Sequence, residues 1–246
     1  MPEQEPTPAT PGQEAAKPGY NERLFDAAGL RSFYHLARFK WAEEQVRTHC
    51  GNGLKVLELG CFDGRLFDHI RPQVADYVGI DANWEGGLDL ARRKYAGVAG
   101  ATFLEATDPK ALRAFADREF DVTASLETLE HLPPELLPAF LDELARVTAG
   151  QLLVTVPNEL GPVFLAKYLL KRLRYGDADD YSVKEAVAAT LGQTHKVRRC
   201  EHKGFDYRQL IGAIGARFNI ASIEGLPFAG LPPLLSPTVA IRAVPK

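Results

Sequence analysis

The chain has 246 residues, of which 46% are hydrophobic and 25% charged, so it can bury a substantial core and is not disordered throughout. Its formal net charge of -3 argues against a DNA-binding protein that relies on an overall positive field. Its 3 cysteines include no CxxC pair, and it shows neither a signal-peptide pattern nor an apolar run long enough to cross a bilayer, which together indicate a soluble cytoplasmic protein.

Two stretches precede the first predicted strand. Residues 1–19 are rich in proline and nearly free of large apolar side chains, which predicts a disordered tail. From Tyr20 to about Cys50, apolar and aromatic residues recur loosely at helical spacing and predict one or two helices. We expect residues 20–246 to form one domain.

After Gly53, short apolar runs alternate with amphipathic stretches. The predicted strands are LKVLEL (54–59), DYVGID (76–81), ATFLEA (101–106), FDVTASL (120–126) and QLLVTV (151–156), with helices at 64–71, 85–95, 109–117 and 134–148. A helix at 207–215 and strands at 218–223 and 237–243 follow. This order predicts a doubly wound, mostly parallel, seven-stranded Rossmann-like α/β sheet.

The first strand runs directly into a glycine turn and a helix, in the sequence VLELGCFDG (56–64). Gly60 lets the chain turn tightly beneath a ligand, and Gly64 lets the helix start close to the strand. The spacing is GxxxG, whereas pyrophosphate-binding turns use GxGxxG, so a dinucleotide is not indicated. The carboxylate of Glu58 suits a cationic or hydroxyl-bearing ligand.

The second strand ends in Gly79-Ile80-Asp81. An acidic residue at the carboxyl end of this strand is placed to accept hydrogen bonds from both ribose hydroxyls. The two strand ends together predict a site for a nucleoside that carries no pyrophosphate.

The motifs ELGCFDG, GIDAN and FDVTASLETLEHL, in this order and spacing, resemble those of class I S-adenosylmethionine-dependent methyltransferases over about residues 53–156. The resemblance implies an enzyme that uses S-adenosylmethionine as methyl donor. It also implies donor contacts along the carboxyl edge of the sheet: Gly60, Cys61 and Gly64 at the methionine and ribose, Asp81 at the ribose hydroxyls, Ala82 and Asn83 beside the adenine, Thr107 or Asp108 at the adenine amino group, and Ser125 and Leu126 facing the methionine.

Glu127, Glu130 and His131 follow the fourth strand, where open α/β sheets bind their ligands. If 127–131 forms a helical turn, the two carboxylates and the imidazole point at one spot. Such carboxylates repel each other unless a cation or a proton lies between them, and this donor set suits Mg²⁺, Mn²⁺, Fe²⁺ or Zn²⁺. The alternative is a solvated acidic turn favoured by a helix dipole.

The segment 161–200 interrupts the alternation and predicts a helical insertion that caps the mouth of the sheet. Basic residues cluster in and after it: Lys167, Lys171, Arg172, Arg174, Lys196, Arg198, Arg199 and Lys203. They indicate either an anionic acceptor or an ordinary solvated face. The leucines of FLAKYLLKRLRYG either pack on the sheet or bind a lipid-like tail.

The set ETLEH, TVPNE and EHKGFDYRQL resembles the small-RNA 3′-terminal 2′-O-methyltransferases, which hold one divalent metal with two Glu and two His. The resemblance implies Glu127, Glu130, His131 and His202 as metal ligands, with His195 as a competitor for the fourth position. ETLEH also resembles the catechol O-methyltransferases of ubiquinone synthesis. Both families methylate one oxygen of a vicinal diol.

This shared feature predicts a mechanism. A metal chelated by two adjacent oxygens lowers the pKa of the attacking hydroxyl and aligns it with the donor methyl group. We expect Mg²⁺ or Mn²⁺ in this position. Either His131 or His202, if it is not a ligand, could act as general base.

The predicted function is therefore methyl transfer to a hydroxyl of a diol-bearing small molecule or sugar. The alternatives are a catechol or quinone acceptor, an RNA 3′ end, and a module that binds S-adenosylmethionine without turnover. RNA is less favoured because the net charge is negative and no RNA-binding domain accompanies the core. A homodimer is compatible with the sequence, which leaves the oligomeric state open.

Overall fold

The computed structural model describes residues 30–176, 181–200, 203–228 and 230–246, with the side chains of 30–34, 174 and 175 left aside. The predicted tail at 1–19, the start of the predicted N-terminal helices and His202 lie outside the described residues.

A seven-stranded sheet forms the centre of the molecule. Its strands are β1 (Leu54–Leu59), β2 (Val74–Asp81), β3 (Ala101–Glu105), β4 (Phe120–Leu126), β5 (Thr148–Pro157), β6 (Phe218–Leu226) and β7 (Thr238–Pro245). Their order is β3-β2-β1-β4-β5-β7-β6, with β1 to β5 parallel and β7 antiparallel to both of its neighbours. This confirms the predicted fold class. The strand order reverses between β1 and β4, which is where such sheets open a crevice for ligands.

The described helices connect and flank these strands. They are α1 (Leu30–His49), α2 (Arg65–Ile70), α3 (Gly87–Lys94), α4 (Leu137–Val147), α5 (Gly161–Tyr175), α6 (Val183–Thr190) and α7 (Tyr207–Gly215). Short 3₁₀ turns occur at Arg71–Gln73, Trp84–Gly86, Pro109–Ala114, Leu129–His131, Thr194–Lys196 and Pro233–Leu235.

The helix predicted at 109–117 is present but shorter, as a 3₁₀ helix over Pro109–Ala114. Asp108 caps this turn by accepting a hydrogen bond from the Lys110 N–H at 2.8 Å. The turn closes at Phe115, whose N–H donates to the Leu112 carbonyl, and the Phe115 ring packs edge-on against Phe120 at 5.1 Å. Phe115 itself has an extended backbone, so the 3₁₀ helix ends before it.

Two hydrophobic clusters cover the two faces of the sheet. Successive strand residues point to opposite faces, so Val56 lies in one cluster and Leu57 in the other. Helices α1, α2 and α3 cover the Val56 face, while α4 and α7 cover the Leu57 face. The strands are therefore buried on both sides, which explains their nearly continuous apolar sequences.

Helices α5 and α6 leave from the carboxyl end of β5 and share a small cluster of their own, formed by Phe164, Ala186, Ala188, Ala189 and Val197. Several α5 leucines stay outside it, and Leu173 is 85% exposed. Among the described helices, none combines the length and apolar character needed to span a membrane. The role of 161–200 as a cap stays a prediction.

Candidate functional site

The glycine turn after β1 is fastened to the end of β2. Gly60 adopts a left-handed backbone, with φ of 80°, which places its N–H and that of Cys61 on the Ile80 carbonyl at 2.7 and 3.2 Å. A Cβ atom at Gly60 would lie 2.0 Å from Thr128 Oγ1. Gly60 therefore allows both the turn and the close approach of the segment that follows β4.

Asp81 completes this connection. Its carboxylate accepts hydrogen bonds from the Phe62 N–H at 2.9 Å and the Asn83 N–H at 2.8 Å. Burial raises the pKa of Asp81, while these main-chain donors act in the opposite direction. The glycine turn and Asp81 thus form one continuous structure, as a shared small ligand requires.

Backbone strain marks three strand ends. Phe62, Asn83 and Glu127 have left-handed backbones with φ of 44°, 56° and 57°, in segments that follow β1, β2 and β4. Bulky residues rarely adopt this conformation, and such residues concentrate at ligand sites. All three lie at the carboxyl edge of the sheet.

Cys61 and Gly64, both predicted to contact the donor, are closely packed against neighbouring residues. The Cys61 side chain is buried and its Sγ faces Gly79, where an added Cβ would lie 2.7 Å away. Gly64 lies against the rings of Tyr95 and Phe103, and the Tyr95 hydroxyl donates to its carbonyl at 2.9 Å. Close packing at both positions holds the glycine turn in place.

Glu58 and Asp108 make contacts that sequence reasoning did not predict. Glu58 is 2% exposed and accepts a hydrogen bond from the Tyr77 hydroxyl on β2. Burial raises the pKa of Glu58 to about 8. Asp108 is exposed and serves as the cap of the 3₁₀ turn described above.

Unpartnered polar atoms gather along the same edge. Within the described residues, Asn83 Oδ1, Ser125 Oγ, Thr155 Oγ1, Glu127 Oε1 and both carboxylate oxygens of Glu130 are inaccessible to solvent and lack hydrogen bonds. Buried polar atoms are normally satisfied, so each of these calls for a partner. They lie at or just beyond the carboxyl ends of β2, β4 and β5.

The helical turn considered over 127–131 forms only in part, as the 3₁₀ turn Leu129–His131. Glu127 is left-handed and the 3₁₀ turn begins only at Leu129, because the Glu127 N–H is held on the Thr155 carbonyl of β5 at 2.8 Å. The two carboxylates nevertheless lie within electrostatic reach of each other. Burial and the charge of Glu127 hold the pKa of Glu130 well above its usual range. Burial raises the pKa of Glu127 as well.

Cations from two distant segments surround this acidic pair. Arg38 on α1 is 9% exposed, and its charge counteracts the raised pKa values of Glu58, Glu127 and Glu130. Arg199 donates a hydrogen bond to the Glu130 carbonyl at 2.8 Å. Sequence reasoning missed Arg38, because α1 also carries Arg31 and Arg47 and nothing local distinguishes the one that is buried.

The histidines are less closely placed. His131 Nε2 lies 3.9 Å from Glu130 Oε1. His195 lies in the Thr194–Lys196 turn and is exposed, and His202 falls outside the described residues. In the part of the chain that the structure describes, no three His, Cys, Asp or Glu side chains are grouped to hold a metal. Three carboxylate oxygens of Glu127 and Glu130 are buried without hydrogen bonds.

A cavity of about 210 Å³ lies between α5 and the residue that precedes α6, and we call it the α5 cavity. Its lining residues are Glu159, Phe164, Lys167, Tyr168, Lys171 and Tyr181. Two of the lining residues act on the acidic pair, since the charge of Lys167 lowers the pKa of Glu127 and that of Glu159 raises it. A larger cavity of about 320 Å³ along α6 is lined by other residues, among them Val183, Leu191 and Lys196.

Comparisons with known proteins bear on this site. Residues 56–150 match the methyltransferase domain family model. A ubiquinone biosynthesis O-methyltransferase of Leptothrix cholodnii is 28% identical over 71% of this chain and 73% of its own length.

Two solved structures share the fold. A S-adenosylmethionine-dependent methyltransferase from Aquifex aeolicus is 14% identical with a TM-score of 0.55, covering 86% of this chain and 93% of that one. The small RNA methyltransferase HEN1 is 18% identical with a TM-score of 0.57, covering 85% of this chain and 25% of that one. The predicted enzyme class is confirmed, whereas the individual ligand contacts stay predictions. The matched domain and the relative thus show that the chain is an S-adenosylmethionine-dependent methyltransferase, and its sheet is Rossmann-like.

Proposed function

We propose that the enzyme methylates one of two adjacent hydroxyl groups on a small molecule, and that an aromatic diol is its acceptor. The observation that carries this proposal is the acidic pair beyond β4, whose carboxylate oxygens Glu127 Oε1 and Glu130 Oε1 and Oε2 are buried without hydrogen bonds. The similarity to the ubiquinone biosynthesis O-methyltransferase of Leptothrix also favours a catechol or quinol over the sugar predicted from sequence.

The donor side follows from the strand ends. Asp81 would bind the ribose hydroxyls, since its carboxylate lies where β2 ends and is oriented by two main-chain N–H groups. The unpartnered Asn83 Oδ1 would accept a hydrogen bond from the adenine side, and Ser125 with Leu126 would face the methionine. When bound, the donor supplies a methyl group on a positively charged sulfur, already activated for displacement.

On the acceptor side, we assign the reacting hydroxyl group to the acidic pair Glu127 and Glu130. The acceptor oxygen forms a bond to the methyl carbon as the carbon–sulfur bond breaks, its electron pair stays on sulfur, and the hydroxyl proton must leave. In the absence of a metal, Glu127 would receive this proton at Oε1, which makes no hydrogen bond. Because the acidic pair is buried away from water, its electrostatic interactions with the acceptor would be stronger than in solvent. His131 is a second candidate for this proton.

A divalent metal, Mg²⁺ or Mn²⁺, fits the same place. Glu127 and Glu130 would hold it, with His131 and His202 as further ligands. It would supply Lewis acidity that lowers the pKa of the acceptor hydroxyl. The support is the set of carboxylate oxygens that are buried without hydrogen bonds.

The test uses the full chain with S-adenosylmethionine and three acceptors. Catechol should be methylated at least tenfold faster than 1,4-dihydroxybenzene, because only catechol presents adjacent oxygens. A ribonucleoside tests the sugar alternative. No methyl transfer to any vicinal diol would overturn the proposal.

Metal binding is measured separately, by Mn²⁺ titration followed by electron paramagnetic resonance. Glu130→Gln should weaken Mn²⁺ binding at least tenfold, and Glu135→Gln, an exposed neighbour, should leave it unchanged. If wild type and Glu130→Gln bind Mn²⁺ equally, and a chelator does not change catechol methylation, the metal proposal is overturned. The proposal of methyl transfer to a diol is unaffected by that result.

A further inference from the structure

Arg199 joins the end of the segment 161–200 to the acidic pair. Its guanidinium Nη2 donates a hydrogen bond to the main-chain carbonyl of Glu130 at 2.8 Å, across 69 residues of sequence. The guanidinium carbon also lies 5.0 Å from the centre of the Phe205 ring, which is 4% exposed and belongs to the cluster under α4 and α7. Arg199 is therefore supported by a buried ring while it reaches the turn that carries Glu130.

The sequence leaves the Glu130 carbonyl in need of this donor. In a helical turn, a carbonyl accepts a hydrogen bond from the N–H group three or four residues later. Here those residues are Pro133 and Pro134, which have no N–H group. Glu130 is buried, and a buried carbonyl without a donor is destabilising. Arg199 supplies the donor that the local main chain lacks.

The side chain of Glu130 is not held by hydrogen bonds of its own. Both of its carboxylate oxygens are buried without hydrogen bonds. His131 Nε2 lies 3.9 Å from Glu130 Oε1, which is beyond hydrogen-bond distance. The direction of the carboxylate is therefore set by its main chain and by packing. A shift of the turn would move the carboxylate with it.

The main chain around Arg199 is itself braced on both sides. The preceding residue, Arg198, donates its N–H to Glu185 of α6 at 3.2 Å. Thr194 Oγ1 donates to Asp206 at 3.0 Å, and Asp206 is the N-cap of α7. The segment that carries Arg199 is thus bound to both α6 and α7, so Arg199 can act as a fixed restraint on a residue of another segment.

We propose that Arg199 is a positioning residue of the methyl-transfer site: it holds the main chain of Glu130 through the carbonyl that the two prolines leave without a donor, and thereby fixes where the Glu130 carboxylate points. Arg199 acts through Glu130 and not on the substrate. The proposal rests on the proposed function, since Glu130 takes part in the reaction only there.

Steady-state kinetics of the full chain test the consequence for the reaction. Arg199→Met removes the donor but keeps an unbranched side chain that can still lie on Phe205. We expect kcat for catechol methylation to fall at least tenfold, because a misplaced carboxylate no longer meets the reacting hydroxyl. The KM for S-adenosylmethionine should stay within about twofold, since the predicted donor contacts are elsewhere. Arg198→Met, which removes the exposed neighbouring arginine, should keep the wild-type kcat.

Hydrogen exchange tests the restraint without any acceptor. The His131 amide donates to the Thr128 carbonyl at 3.0 Å, so its exchange reports on the turn. Arg199→Met should speed this exchange at least tenfold, and Arg198→Met should not change it. The Gly60 amide, which is held on the end of β2, should keep its wild-type rate in both variants and so shows that the sheet is intact.

The outcomes separate this proposal from the proposed function. Wild-type kcat in a folded Arg199→Met variant, unchanged exchange at His131, or faster exchange at Gly60 as well overturns the positioning role. Methylation of catechol by wild type in any of these cases leaves the proposed function standing. Faster exchange confined to His131, in a chain that methylates no vicinal diol, supports the restraint on Glu130 and overturns the proposed function.

Discussion

Asp81 shows how one residue can be both structural and ligand-binding. Its carboxylate accepts two main-chain hydrogen bonds, which fix the turns after β1 and β2 against each other. A carboxylate oxygen has more than one acceptor site, so it can also accept from a ribose hydroxyl. The residue thus links the geometry of the edge to the affinity for the donor.

We expect Asp81→Asn to weaken S-adenosylmethionine binding at least tenfold, which corresponds to about 1.4 kcal/mol. The amide has only one acceptor oxygen and cannot satisfy both main-chain donors and the ribose. Calorimetric titration of the donor measures this loss. Asp76→Asn, at the exposed opposite end of β2, is the matched control. Unchanged affinity in a folded Asp81→Asn protein would contradict the ribose assignment.

At the scale of the secondary-structure element, a buried polar contact joins the adjacent strands β1 and β2. Glu58 on β1 and Tyr77 on β2 meet through a hydrogen bond on the face covered by α1 and α2. Burial favours the neutral form of the carboxyl group, so its folded pKa of about 8 lies above its ordinary value. Ionising Glu58 therefore costs folding free energy.

This contact predicts a pH dependence of stability. Between about pH 4.3, where an unperturbed Glu titrates, and about pH 8, the folded chain holds a proton at Glu58 that the unfolded chain releases. The free energy of unfolding should therefore fall as the pH rises through this window. Glu58→Gln removes the titrating group, so its stability should fall less between pH 5 and pH 8.

Urea denaturation at both pH values measures the difference. Glu135→Gln, an exposed substitution, should follow the wild-type pH profile. A Glu58→Gln protein with the wild-type dependence would show that Glu58 is ionised in the folded chain throughout this range.

The whole molecule depends on two separate hydrophobic clusters, one on each face of the sheet. Leu144 on α4 is fully buried in one cluster, and Leu66 on α2 is 1% exposed in the other. The sheet lies between them, so the two side chains share no cluster. Stability is thus divided between two layers that are joined only through the strands.

We expect Leu144→Ala and Leu66→Ala each to lower the free energy of unfolding by about 2–5 kcal/mol, because each leaves a cavity in a close-packed layer. The double variant should lose the sum to within about 0.5 kcal/mol. Chemical denaturation of the four proteins measures this. Leu90→Ala, at an exposed position of α3, should change stability far less. A strongly non-additive double variant would show that the layers are coupled across the sheet.

Local sequence determined the elements of this protein. Strands Leu54–Leu59 and Phe120–Leu126 and helix Tyr207–Gly215 have the bounds predicted from their residues. The apolar runs of parallel strands, and the 3.6-residue period of a helix packed on one side, are properties of short segments and can be read from them. The same holds for the glycine turn and for an acid at a strand end.

Only the tertiary structure decided which of these residues meet. The left-handed backbone at Glu127 depends on a hydrogen bond to β5, and the charge that counteracts its raised pKa comes from Arg38, far away in the chain. Glu58 lies beside Tyr77 because of the register between β1 and β2. The α5 cavity likewise needs α5 to pack near Tyr181. Pairings of this kind depend on distances between remote segments, and no local pattern encodes those distances.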